Sequence, residues 1–407
     1  MREHALPDDW RVTTIGEVAA HVPNAIVDGP FGSNLKLSDY VEEGVPVLQG
    51  KNITNDTFQW FDVRYISDRK ANELKRSSVR VGDILLVKIG SIGYSAVIRD
   101  LQGFDFAIIP ANLAKITPNP EAVDTEYLHK WLTSPAAKRY LESVASKTAQ
   151  PALSLGKIKS LPLSLPPLAE QRRIAEALDR AEALRAKRRA ALAQLDSLTQ
   201  AIFLDLFGDH TTLLEKWPTK KLGGILDFLT SGSRGWAPYY ANSGDLFLRI
   251  QNVGYDELLL DDVAYVNAPD SAEAKRTRVQ PGDVLLSITA DLGRSAVVPE
   301  GIGVAYINQH LSILRTKALF PRFLSAYFAS PVGQRQVSRR NREAVKAGLN
   351  FDDIRSFVIP LPPIELQHEF GRRVSAVEKL RSAQQASLAE LDALFAVLQH
   401  RAFRGEL

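Results

Sequence analysis

The chain is written twice. Displaced by 200 positions, residues 65–98 fall without a gap on residues 265–298, and 13 of the 34 positions are identical. Roughly two would match by chance at ordinary composition. LPPLAEQRR at Leu165 and LPPIELQHE at Leu361 form a second pair, each opening a helical pattern. Whatever one copy folds into, the other must fold into as well, and each copy is followed by a helix. Such a chain has an approximate two-fold inside one polypeptide and suits a target, or a set of partners, arranged in two halves.

The repeat also divides the chain. At the offset of 200, Leu48 aligns with Leu248 and Asn52 with Asn252, and Gly32-Ser33 is expected to align with Gly232-Ser233. The offset drops to 198 at Leu113 and Leu311, then to 196 at Ser134-Pro135 and Ser330-Pro331, as short loop deletions produce. The segments before and after each Ser-Pro read as paired helices. Runs such as DILLVKI from Asp83 read as buried strands among turn signals. The expected fold class is α+β, with globular domains at residues 1–164 and 210–360 and helical regions at 165–209 and 361–407. Each globular copy, at about 150 residues, has an ordinary domain size.

Both helical regions begin after Pro-Pro, where a helix is readily initiated. In the first, Ile174, Ala181, Leu184, Ala191, Leu195, Leu198 and Ile202 fall on a 3–4 spacing; in the second, Phe370, Val377, Leu380, Leu391, Leu394 and Leu398 do so. A helix from Leu168 to Leu206 would be about 58 Å long. An apolar seam of that length needs a partner. We expect the two helices to form an intramolecular antiparallel coiled coil. Arg188 and Gln384 are polar interruptions near the two helix middles. Meeting there, they would fix register at some cost in stability. The basic cluster RAKRR, residues 185–189, reads as a solvated helix face.

Composition narrows the function classes. At 407 residues the chain suits two or three domains, and 45% hydrophobic with 24% charged residues is ordinary globular composition. The absence of cysteine excludes disulfides, thiolate metal sites and a cysteine nucleophile. No apolar run has membrane-spanning length, and the first ten residues lack a signal-peptide pattern. The cytoplasm is therefore the expected location. A formal net charge of +3 permits nucleic-acid binding without demanding it. There is no phosphate-binding glycine loop, no dinucleotide fingerprint, no nucleophile elbow and no histidine pair at metal-ligand spacing. Asp83 and Lys88 resemble part of a nuclease metal site, but the second copy keeps Asp283 and has Ile288. Gly82-Asp83 and Gly282-Asp283 read better as turns entering buried strands.

The loops carry the candidate reading chemistry. DGPFGSNLK in the first copy supplies Ser33, Asn34 and Lys36; TSGSRGWAPYY in the second supplies Ser233, Arg234 and Trp236. Lys51 and Asn52 stand opposite Arg249, Gln251 and Asn252, and Lys88 and Tyr94 opposite Ile288 and Arg294. Lys147 and Lys346 lie in small-residue loops before each Pro-Pro. Glycine amides approach phosphate closely, arginine can bind guanine bidentately, and asparagine or glutamine can bind adenine. Between copies the strands and turns agree while the polar loop residues differ. That is the pattern of one scaffold carrying two reading surfaces. A competing reading is a non-catalytic coiled-coil scaffold whose heads bind protein.

The motif LPPLAEQRRI, residues 165–174, the endings LFGD at 206–209 and AFRGEL at 402–407, and the loops DGPFGSNLK and GSRGWA resemble the specificity subunit of type I restriction-modification systems. The second copy departs from the motif, with Leu366-Gln367-His368 and Phe370 in place of Glu-Gln-Arg and Ile. The resemblance spans essentially the whole chain. It implies two target-recognition domains, each reading half of a bipartite, asymmetric DNA site. It implies helices that set the spacing and dock two modification subunits. S-adenosylmethionine would belong to those subunits, and ATP and magnesium to restriction subunits with translocase and nuclease activity. The chain itself would need no cofactor and catalyse nothing.

Overall fold

The computed structural model describes residues 6–30, 34–146, 151–209, 212–340 and 348–407. They form two compact units: residues 1–188 with 387–407, and residues 189–386. Each unit holds one globular head, one end of the first long helix and the opposite end of the second.

The head of the first unit is built on two sheets. In the first, strands run in the order Ser95–Val97, Ile84–Val87, Leu113–Ile116, Ile26–Asp28, all antiparallel. Ile84–Val87 is buried at every position, which explains its unbroken apolar run. The second sheet has the order Tyr40–Val41, Arg64–Ile66, Val45–Val47, Ala107–Ile108, Ser78–Val79, with one parallel pair between Val47 and Ile108. Helices Thr125–Leu132 and Pro135–Val144 cover the first sheet, broken at Ser-Pro as the sequence requires. Ser134 caps the second of them by accepting the amide of Ala137.

The second head repeats this plan. Its first sheet runs Phe228–Ser231, Leu311–Arg315, Val284–Ser287, Ser295–Val297. Its other sheet runs Tyr240–Ala241, Ala264–Val266, Asp245–Leu248, Ala305–Ile307, again with one parallel pair. Helices Pro321–Ala329 and Pro331–Arg340 repeat the broken pair. A short antiparallel ladder joins chain entry to chain exit in each head: Arg11–Thr14 with Pro162–Leu165, and Thr219–Lys221 with Val358–Pro360.

One expected correspondence is corrected. Gly232 matches Gly29, not Gly32. Gly29 donates its amide to Leu113 O, and Gly232 to the repeat-equivalent Leu311 O. A Cβ on Gly29 would stand 2.2 Å from Ile109 O, and one on Gly232 would stand 2.1 Å from Asn308 O. Backbone crowding requires glycine at both places. The offset there is 203, and Ser233 loses its alignment with Ser33.

The long helices span Leu168–Phe207 and Ile364–Ala402. In the first unit the start of the former packs on the end of the latter: Ile174 and Leu178 share a core with Ala402, Phe395 and Leu398. In the second unit Phe203 and Phe207 lie against Phe370, with ring centroids 5.6 Å apart in each pair. The helices therefore pair antiparallel within each unit. The covered seam alternates 4 and 3 residues from Ile174 through Leu178, Ala181, Arg185, Arg188, Leu192 and Leu195 to Thr199 and Ile202. Its counterpart includes Phe370, Val374, Val377, Arg381, Gln384, Leu388, Leu391, Phe395 and Leu398. Leu184, Leu198, Leu380 and Leu394, expected on the seam, are exposed instead. Arg185 occupies a seam position and is not part of a solvated face. Its guanidinium lies 4.3 Å from the centre of Phe395 and its Nε donates to Asp392 Oδ1 at 2.5 Å. Arg188 belongs to the first unit and Gln384 to the second, each partly covered.

Candidate nucleic-acid interface

Each head presents a loop surface formed where the strands of its two sheets end. In the first head, Lys51, Asn55, Ser91, Tyr94 and Asn112 line one groove. Asn55 and Asp56 take positive φ at its edge, and Asp56 binds Lys138 at 2.6 Å. Lys138 also sits 4.7 Å from the centre of the exposed Tyr94 ring. Lys51 reaches Asp62 in an exposed ion pair. Asn34 and Lys36 are exposed beyond the glycine-rich turn, with the Lys36 backbone amide held by Asp39 at 2.6 Å.

The second head places different chemistry at matching positions. Gln251 replaces Lys51 and donates to Asp262 Oδ2 at 3.2 Å. Arg294 replaces Tyr94, held by Asp291 at 2.6 Å and 5.9 Å from the centre of the Tyr255 ring. Arg249 lies partly covered near Asp262, at 3.7 Å. Arg234 is exposed, and Ser233 is half-buried beside Asn308. Ser33, Lys147 and Lys346 lie outside the described residues.

Four of the sequence candidates are corrected to structural roles. Asn52 is wholly buried: its Oδ1 accepts the Gln49 amide at 3.0 Å, and its Nδ2 donates to Gln59 O and Phe61 O. Asn252 repeats each bond, with the Arg249 amide, Leu259 O and Asp262 O. Both asparagines pin loops from inside and have no free edge for a base. Lys88 is 4% exposed and donates to Asp28 Oδ2 at 2.7 Å within the core. Trp236 is 4% exposed and packs against Phe247, Tyr306 and Tyr239.

The Gly-Asp turns behave as the sequence implied. Asp83 is buried, accepts the Arg80 amide at 2.7 Å and the Thr117 hydroxyl at 2.5 Å, and lies at the entrance of strand Ile84–Val87. Burial pushes its carboxyl up, against the pull of Lys115. Asp283 keeps the turn bond, to the Gln280 amide, and adds a bidentate pair with Arg315 at 2.6 and 2.8 Å.

Sequence reasoning missed the glutamine of each Pro-Pro motif as an anchor. Gln171 accepts the Asp124 amide at 2.8 Å and donates to Pro166 O at 2.8 Å. Gln367 accepts the Phe320 amide at 2.9 Å and donates to Pro362 O at 2.8 Å. Each ties the first turn of a long helix to its own head. The signal was available, because glutamine stands at the same place in both copies of an apolar motif.

The molecule thus belongs to the class of duplicated α+β proteins in which one scaffold, built twice, carries two dissimilar polar surfaces and one half each of two helix pairs. Residues 7–194 and 215–393 both match the family described as the type I restriction modification DNA specificity domain. The chain belongs to that family. It is 27% identical over 334 residues to the EcoBI specificity subunit of Escherichia coli, covering 75% of this chain and 65% of that one. It is 22% identical to the EcoKI specificity subunit of Escherichia coli K12, covering 99% and 90%. A chain solved in work on the complex assembly and conformational transition of the type I R-M system shares the fold, with a TM-score of 0.62 at 20% identity and full coverage of both chains.

Proposed function

We propose that the chain is the sequence-recognition subunit of a type I restriction-modification complex in the cytoplasm, with no catalysis of its own. Each head reads one half of a bipartite, asymmetric site in duplex DNA. The observation that carries this reading is the contrast between copies. Buried residues such as Asn52 and Asn252 keep every bond, while surface ones differ: exposed Lys51 against exposed Gln251, and exposed Tyr94 against half-buried Arg294. Base edges are what such side chains discriminate, and a different set on each head gives a different half-site.

The helices fix the separation of the half-sites and dock two modification subunits, which carry S-adenosylmethionine; restriction subunits bring ATP and magnesium. The exposed leucines support two equivalent docking places. Leu184 and Leu380 are related by the helix repeat of 196, and so are Leu198 and Leu394. Exposed apolar positions that recur in register mark partner contacts better than scattered ones.

The test is binding of duplex DNA by the chain assembled with its modification subunits, titrated with salt, together with methylation mapping in a host expressing the system. A salt-dependent affinity and a bipartite methylated sequence with two unlike halves are expected. Affinity indifferent to both salt and sequence would leave the protein-binding scaffold as the better reading.

A further inference from the structure

The 13 identities between residues 65–98 and 265–298 can be accounted for one by one. Val79, Asp83, Leu85, Leu86, Ser95 and Ala96 are buried in both copies, and Val97 pairs within a sheet strand in each. Gly82 and Gly93 take φ of +92° and +87°, and Gly282 and Gly293 take +85° and +82°, which require glycine. Tyr65 and Tyr265 are half-buried in a strand. What remains is Glu73, Lys75 and Arg76, exposed in both copies. Glu73 pairs locally with Lys70 at 3.3 Å, and Glu273 with Arg276 at 3.8 Å. In the second copy Lys275 pairs with Asp270 at 2.7 Å and Arg276 bonds within its own head, but among the described residues no contact common to both copies accounts for the two cations.

Their position gives one. The turn Lys75–Ser77 abuts the strand that feeds the glycine-rich loop, with Ser77 donating to Asp28 O at 2.9 Å. In the second copy the Arg276 guanidinium donates to the Thr230 hydroxyl and to Ser231 O, the latter at 2.7 Å, immediately before Gly232. Lys275 and Arg276 line a groove there with Arg278 and Arg315. A basic dipeptide therefore stands beside the strand that leads into the candidate reading loop in each head. Two unlike half-sites share no base pattern, but both carry the same phosphodiester backbone. A cation pair that stays the same while its neighbours differ fits the part of the target that stays the same.

We propose that Lys75-Arg76 and Lys275-Arg276 are matched phosphate-contact sites, one per head, holding the duplex backbone beside each reading loop. The proposal rests on the DNA-recognition reading above. The test uses the full chain assembled with its modification subunits and a mixed-sequence duplex as probe. Lys75→Gln with Arg76→Gln, and separately Lys275→Gln with Arg276→Gln, should each reduce the slope of log affinity against log salt by about 2, since each lost phosphate contact removes about 0.9. The methylated sequence in the host should not change. Arg276→Lys should retain the wild-type slope, because it keeps the charge while losing the guanidinium's bonds to Thr230 and Ser231. An unaltered slope in either double variant, a methylated sequence altered in one half, or a slope lost in Arg276→Lys would each overturn the proposal. If the unsubstituted complex shows no salt dependence, the DNA reading itself fails. If it does and the double variants match it, only the phosphate assignment fails.

Discussion

Asn252 sits under the second head's loop surface as Asn52 does under the first, each satisfying three backbone groups. Replacing either by alanine leaves those groups buried without partners, a cost of about 1–3 kcal/mol. Asn252→Ala is expected to lower the melting midpoint of the protein and to loosen the loop over residues 259–262, seen as faster amide exchange there. Asp256 makes a second case. Arg322 Nε lies 3.2 Å away and the Ser325 hydroxyl also favours the ionised form, yet burial outweighs both and the carboxyl is pushed up to about 6. A carboxyl raised above its unfolded value near 3.9 gives stability that is fully present below about pH 4 and is lost as pH rises through about 6. Thermal melts should show that component declining between those values, and Asp256→Asn should flatten it. Equal pH profiles for the two proteins would refute this assignment. Neither role was legible in the sequence. An asparagine in a turn reads equally as a base contact or as an internal brace, and only its burial decides.

At the scale of the element, strands and broken helix pairs were legible because apolar runs and Ser-Pro caps recur in both copies. The helix seam was half legible. One heptad line, Ile174, Ala181, Leu195 and Ile202, was read as it lies. The other line runs through Leu178, Arg185, Leu192 and Thr199, and arginine and threonine disguised it. Arg185 covers the seam with its stem and stacks on Phe395, so a charged residue does an apolar one's work. The leucines at 184, 198, 380 and 394 were therefore drawn onto the seam wrongly. They face outward, at 55%, 39%, 48% and 64% exposure. Changing Leu184 and Leu380 to serine should alter the unfolding free energy by no more than about 0.5 kcal/mol per substitution, as exposed substitutions do. The same change should weaken copurification of the modification subunits. A large loss of stability with undiminished copurification would place these residues back in the seam.

The whole molecule repeats its plan so closely that the heads should be exchangeable. Placing residues 210–360 before the first long helix and residues 1–164 before the second is expected to give a folded chain. Under the approximate two-fold, exchanging the heads amounts to reading the same duplex from its other strand, so methylation mapping of the host should recover the original bipartite site; a different site would show that the two places are not equivalent. The repeat made two unlike surfaces legible in the sequence. The side chains that form them were less so, because the alignment slips at Gly29 and Gly232, where backbone crowding and not spacing sets the match.

The buried pair of Asp28 and Lys88 limits how such proteins can be rebuilt. Where the first head has this ion pair, the second has Ser231 and Ile288 at the matching strand positions. A crossover between the two heads that falls between these positions would join a lone carboxylate to an isoleucine, or a lone ammonium to a serine. Leaving one buried charge without its partner costs about 3–5 kcal/mol, enough to unfold many domains. Lys88→Ile should therefore be severely destabilising alone and largely rescued by Asp28→Ser. New specificities can then arise by shuffling intact heads far more readily than by splicing within them: the core acts as a grammar that accepts whole words and rejects hybrids.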